Sequence, residues 1–188
     1  VFSSSCGVYG DQKMLPIAEG ASTEPLSPYT LQKLMSEQYC KLYAKLHGLQ
    51  CIMLRYFNVY GPRQSPGSVY AGLITKFIRM INDGEAPSIY GDGQQSRDFV
   101  FVDDVVNANI IAGTTNDGKC FNQVFNVGTG NNSTVNEVTR ILIDLSNTNL
   151  IALHKDPVIE PRHSRADITK AQDVLEWNPE INFKEGLE

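Results

Sequence analysis

The chain predicts an α/β fold: a parallel sheet with crossover helices, joined to a smaller α/β part. Two observations carry that reading. Short apolar runs of strand length alternate with longer segments whose apolar residues recur at helical spacing. Proline and glycine cluster near residues 61 to 67 and 84 to 93 and mark excursions out of the sheet. Strands that alternate with helices pair in parallel, because each crossover returns the chain in the same direction.

Val1 to Ser5 reads as the end of a buried strand, an apolar start closed by Ser3-Ser4-Ser5. A helix is expected over Pro28 to Leu46. Ser27 suits its N-cap and Pro28 its first position, while Leu31, Leu34, Met35 and Leu42 recur at helical spacing. Cys51 to Tyr56 reads as a second buried strand, and Tyr70 to Ile81 as a helix bounded by Asn82-Asp83-Gly84. A short strand over Phe99 to Val102 precedes a helix over Asp104 to Ala112. Val124 to Val127 is a further strand, Val135 to Ser146 a helix, and Ile168 to Leu175 a final helix before Asn178-Pro179. Gly91-Asp92-Gly93 reads as a turn.

Tyr29 and Lys33 stand four residues apart on the first expected helix, so phenol and ammonium face the same way. An isolated phenol, with a pKa of about 10, is a poor base near neutrality, but a neighbouring ammonium favours its ionised form. A strand-end serine can hold a substrate alcohol while the phenolate accepts its proton. Together the three residue types point to reversible oxidation of an alcohol. Read alone, Tyr29 and Lys33 are equally compatible with an exposed helix pair of no chemical importance. A second such pair, Tyr9 and Lys13, encloses Gly10 and Asp11, which favour a turn and need not place both side chains on one face.

With 41% apolar residues in 188, the chain can bury a core. A net charge of −5 offers no basic face for nucleic acid, and no apolar run approaches membrane-spanning length. Cys6, Cys40, Cys51 and Cys120 lack the close pairing of zinc or redox sites, and His47, His154 and His163 lack metal-ligand spacing. Free thiols in a reducing cytoplasm, and no metal, are the expectation.

Six ordered segments, VFSSSCGVYG, SPYTLQK, LRYFNVYGPRQ, IYGDGQQSRDFVFVDDV, FNVGTG and RHSRADITKA, strongly resemble the extended short-chain dehydrogenases. Within that group the chain is most similar to the NAD-dependent UDP-galactose and UDP-N-acetylglucosamine 4-epimerases. The resemblance runs from Val1 to about Trp177 and implies a Rossmann-type sheet with a smaller substrate-binding domain. It divides the chain into 1–60 with 104–130 for the remainder of the NAD-binding domain, and 61–103 with 131–188 for the nucleotide-sugar domain. It also implies a cytoplasmic enzyme that is a homodimer when complete.

The resemblance assigns roles. Ser5 orders the sugar, Tyr29 is the base, and Lys33 holds the nicotinamide ribose. Ser3, Tyr56, Asn58 and Val59 border the cofactor, Asn58 also meets the sugar diphosphate, and Arg97 grips it, as a forked guanidinium suits phosphate. Ser164 lies against the sugar's C2 substituent and, being small, implies room for an N-acetyl group. The reaction implied is oxidation at C4 to a 4-keto sugar, rotation, and reduction on the other face.

Two departures qualify this. Relatives carry a second phosphate-binding arginine where this chain has Pro157; Arg162 or Arg165 is the expected substitute. The Gly-rich turn that holds NAD pyrophosphate is absent, since Gly128-Thr129-Gly130 is followed by Asn131 and Asn132. The expectation is therefore a C-terminal portion of such an enzyme, cut along a sheet edge, inactive alone and unable to bind NAD measurably. An unpaired strand at Val1 would be an association hazard. No carboxylate lies between Ser3 and Gly10, which favours epimerisation over dehydration. The alternatives are another NAD-dependent nucleotide-sugar enzyme, such as a UDP-glucuronate epimerase or decarboxylase, and a noncatalytic binding module.

Overall fold

The computed structural model describes residues 1–65, 67, 72–158 and 160–188. Strand β1 (Phe2–Ser5) leads through a 3-10 turn at Cys6–Tyr9 and a long loop to helix α1 (Pro28–His47). Strands β2 (Met53–Tyr56) and β3 (Asn58–Tyr60) follow, then helix α2 (Leu73–Asn82). Next come β4 (Ser88–Tyr90), β5 (Ser96–Arg97) and β6 (Phe99–Phe101), then α3 (Val102–Thr114). The chain continues with β7 (Val124–Val127), β8 (Ser133–Thr134), α4 (Val135–Leu145), β9 (Leu153–Lys155) and α5 (Thr169–Leu175).

Strands β1, β2 and β7 form one parallel sheet in that order, with Ser5 opposite Tyr56 and Tyr56 opposite Val127. The expected strand at Phe99 does not join it. It pairs in parallel with β3, while β4 pairs with β9 and β5 pairs antiparallel with β8. Each of these extra strands has two or three residues, too few for alternation to reveal in the sequence. The helix expected from Tyr70 is observed from Leu73, and Tyr70 and Ala71 lie outside the described residues.

Two apolar cores are the largest among the described residues. One joins Ile52, Leu54, Phe125 and Val127 of the sheet to Val105 and Ala108 of α3 and Ala171 and Leu175 of α5, closed by Trp177. The other packs Ile74, Phe77 and Ile81 of α2 against Val135, Val138 and Leu142 of α4. Strand β6 belongs to both, because successive side chains point to opposite faces: Phe99 enters the second core and Val100 the first.

The outer edges of the main sheet are treated differently. Phe2 N donates to Ile52 O, so Ser3 turns its backbone away from β2, and its carbonyl accepts from Lys33 Nζ at 2.9 Å. On the outer edge of β7, Lys170 Nζ donates to Val124 O, while Asn126 N donates to Glu19 Oε1. Side chains thus satisfy groups that an edge strand would otherwise leave unpaired.

Candidate active site

Helix α1 begins with the cap that its sequence dictates. Ser27 accepts from Thr30 N, Thr30 Oγ1 accepts from Ser27 N, and the helix ends at Gly48 in the left-handed region. That start places Tyr29 and Lys33 in the first two turns, over the C-terminal end of β1. Lys33 Nζ lies 5.7 Å from the centroid of the Tyr29 ring.

Ser5 ends β1 and caps the 3-10 turn: its Oγ accepts from Gly7 N at 3.2 Å, which leaves the hydroxyl proton to donate elsewhere. Ser5 and Tyr29 line one cavity of about 540 Å³ with Tyr56, Asn58, Val59, Arg97 and Ser164. Ser3 stands outside that lining and shares a hydrogen bond with the Tyr56 hydroxyl at 2.9 Å; Tyr56 in turn donates to Asn109. Cys6 lies in the same wall, and burial pushes its thiol up to about 12. It stays protonated and is no nucleophile near neutral pH.

Asn58 and Arg97 also line a second pocket of about 280 Å³, whose other walls include Phe77, Ile89, Tyr90, Gln95 and Phe99. The two residues therefore form a shared wall. Arg97 is held by Glu160 Oε2 at 2.6 Å and by the carbonyls of Ser96 and Arg162. Arg162 points elsewhere: it makes a bidentate pair with Asp92 at the surface, at 2.9 and 2.6 Å, and lines neither pocket. The Oγ of Ser164 and the Nε of Arg165 are buried and have no hydrogen-bond partner among the described residues.

The second pair, Tyr9 and Lys13, separates as its turn residues require. Tyr9 is fully buried with its hydroxyl on Asn126 Oδ1 at 2.6 Å, whereas Lys13 is exposed and pairs with Asp11. All four cysteines are free. Among the described residues no group could hold a metal, and no helix is long and apolar enough to cross a membrane.

Sequence reasoning missed the two fully buried carboxylates among the described residues. Glu37 is fully buried on α1 and Asp98 is fully buried beside Arg97. Glu37 carries a legible signal, since it extends the Tyr29, Lys33 spacing by four more residues. Asp98 carries none, because its partners lie 31 to 68 residues away.

The chain is thus an α/β protein in which a strand-end serine and a helix-borne tyrosine share one cavity, with an arginine in its wall to a second pocket. Residues 1–128 match the NAD dependent epimerase/dehydratase family, and the chain belongs to that family. It is 42% identical over its whole length to a putative UDP-glucose 4-epimerase of Methanocaldococcus jannaschii, and spans 60% of that relative. It superimposes with a TM-score of 0.92 and 40% identity on the UDP-glucose 4-epimerase of Thermotoga maritima, solved with UDP-glucose. The same TM-score and identity relate it to the UDP-N-acetylglucosamine 4-epimerase of Methanobrevibacter ruminantium M1, solved with UDP-N-acetylmuramic acid. In each superposition 99% of this chain matches about 60% of the solved one.

NAD is the cofactor of this family, and the residues present fit its nicotinamide-ribose end. The Lys33 ammonium has three donors and uses one on Ser3 O; like Ser3, Lys33 stands outside the cavity lining. No Gly-rich phosphate turn occurs among the described residues.

Proposed function

We propose that the complete enzyme interconverts UDP-hexoses or UDP-N-acetylhexosamines at C4. The observation that supports this is the shared wall: Asn58 and Arg97 stand between a cavity holding Ser5 and Tyr29 and a second pocket with aromatic and aliphatic walls. A sugar in the first, a nucleoside in the second and a diphosphate at Arg97 use all three features.

In this reading NAD supplies the acceptor and donor of electrons at C4. Ser5 donates a hydrogen bond to the substrate oxygen and orients it. Tyr29 accepts the C4 hydroxyl proton and returns it after the sugar has turned. Lys33, beside the phenol, holds the ribose. Catalysis rests on positioned proton transfer. Ser164, small and with a buried unpaired hydroxyl, leaves space for an N-acetyl group and a donor to its carbonyl. The exposed Leu31, Met35, Tyr39, Leu42 and Leu46 of α1 support a homodimer. The free cysteines support a reducing cytoplasm.

The test uses the complete enzyme with UDP-glucose and UDP-N-acetylglucosamine. Tyr29→Phe is expected to lower kcat by roughly 1,000-fold with sugar-nucleotide affinity nearly intact. Turnover within a few fold of the parent rejects Tyr29 as the base. Ser164→Tyr is expected to reduce activity on the acetylated sugar by roughly 10- to 100-fold more than on the plain hexose. Equal losses reject that assignment. Calorimetric titration of the 188-residue chain with NAD is expected to give no measurable binding, and micromolar affinity would overturn the expectation that the chain lacks most of the cofactor site.

A further inference from the structure

Helix α1 carries Tyr29 and Lys33, yet only one of its twenty residues is buried, and that residue is Glu37. Apolar packing alone is a weak fixture for such a helix. Tyr29, Lys33 and Glu37 follow one another at intervals of four, so they fall within about 80° of arc on one face. The side of the helix that presents the proton-transfer pair is therefore the side that enters the protein at Glu37.

Glu37 meets two strands there. Its Oε1 accepts from Ser4 Oγ at 2.5 Å and from Arg55 Nε at 2.9 Å, and its Oε2 accepts from Arg55 Nη2 at 2.6 Å. Arg55 is 4% exposed and Glu37 0%. The guanidinium is held from its other sides by Glu19 O and by the Tyr9 ring, whose centroid lies 4.6 Å away. Ser4 lies between Ser3, whose carbonyl takes Lys33, and Ser5; Arg55 immediately precedes Tyr56. A planar fork permits one roll and one height of the helix relative to both strands. Lys33 on Ser3 and Glu37 on Ser4 tie α1 to consecutive residues of β1.

We propose that Glu37 is a positioning residue for the reaction: its ion pair with Arg55 and its hydrogen bond from Ser4 set Tyr29 at its working distance from Ser5. The inference rests on the 4-epimerase reading. A shift of about 1 Å in a reacting group costs on the order of 100-fold in rate, so an anchor two turns away along the helix governs turnover without touching substrate. Stability alone does not account for the arrangement, since a buried ion pair replaced by apolar residues of similar volume often leaves a protein equally stable.

The test compares three variants of the complete enzyme by kcat, KM and thermal midpoint. Glu37→Gln keeps the shape and removes the charge, and is expected to lower kcat by roughly 100-fold with KM for the sugar nucleotide within about threefold. The double variant Glu37→Leu with Arg55→Met is expected to restore the thermal midpoint of the parent but not its kcat. Ser4→Ala, the mildest change, is expected to lower kcat by roughly fivefold at unchanged KM, and reports even where the other variants do not fold. Recovery of kcat together with the thermal midpoint in the double variant overturns the inference, as does unchanged kcat in Ser4→Ala. A parent enzyme inactive on both UDP-sugars overturns the 4-epimerase reading instead.

Discussion

Glu37 and Asp98 are both buried carboxylates behind the site, and they are satisfied in opposite ways. Glu37, under the half that carries Ser5 and Tyr29, faces a full counter-charge in Arg55. Asp98, under the half that carries Arg97 and Ser164, has no cation within its hydrogen-bonding shell among the described residues. Thr129 N, Thr129 Oγ1, Gly130 N and Ala166 N donate to it at 2.7 to 3.0 Å. Its backbone carbonyl accepts from Asn58 N. Burial pushes the Asp98 carboxyl above its ordinary pKa while these donors oppose the rise. One carboxylate bolts a helix to two strands; the other gathers two loop segments around one point. A single strong partner gives geometric precision and a single point of failure, whereas distributed dipoles share the load.

The largest expected effects separate the two hubs. Arg55→Leu strands the Glu37 charge and is expected to cost about 3–5 kcal/mol of stability, measured by urea unfolding. Asp98→Asn keeps the shape but turns an amide group toward backbone donors, and is expected to cost about 2–4 kcal/mol. The two also differ in kind: Asp98→Asn is expected to weaken UDP binding in calorimetry, because Arg97 is its chain neighbour and the Ala166 amide it holds lies two residues from Ser164. If Arg55→Leu weakens UDP binding equally, the division between the hubs fails.

A smaller change sharpens the contrast. Thr129→Val removes one of the four donors to Asp98 and is expected to cost about 1 kcal/mol, far below the loss of the one cation on Glu37. A loss as large as that of Arg55→Leu would show that Asp98 is no distributed hub.

The smallest effect belongs to the exposed Asp92 and Arg162, which also pair through two hydrogen bonds but lie in water. Hydrogen bonds from Arg162 hold the Asp92 carboxyl down at about 2. A depressed pKa contributes stability above the ordinary value, and that contribution is lost as pH falls through about 2. Burial raises Asp98, so its contribution has the opposite sign: present at acid pH and lost as pH rises through its elevated pKa. Asp92→Asn is expected to shift the urea midpoint slightly at pH 6, less in high salt, and not at all at pH 1. A large, salt-independent shift would show that exposure does not set the worth of this geometry.

Much of this was legible in the residue order. Alternating runs announced the α/β fold, Ser27 and Pro28 marked the start of α1, and four-residue spacing paired Tyr29 with Lys33. All of these are local properties, fixed by φ/ψ preference, capping chemistry and helical period within one segment. The short strands β3, β4, β5, β8 and β9 escaped because two or three residues show no period and their partners are distant in the chain. Only the fold could bring Arg55 to Glu37, four donors to Asp98, and Asn58 with Arg97 into the wall between two pockets. Likewise, Arg162 carries the right charge for a diphosphate, yet tertiary structure gave it to Asp92. Sequence determines which groups can accept a proton or bind an anion. Which of them meet is a matter of long-range packing, where each contact depends on chain closures that no local pattern encodes.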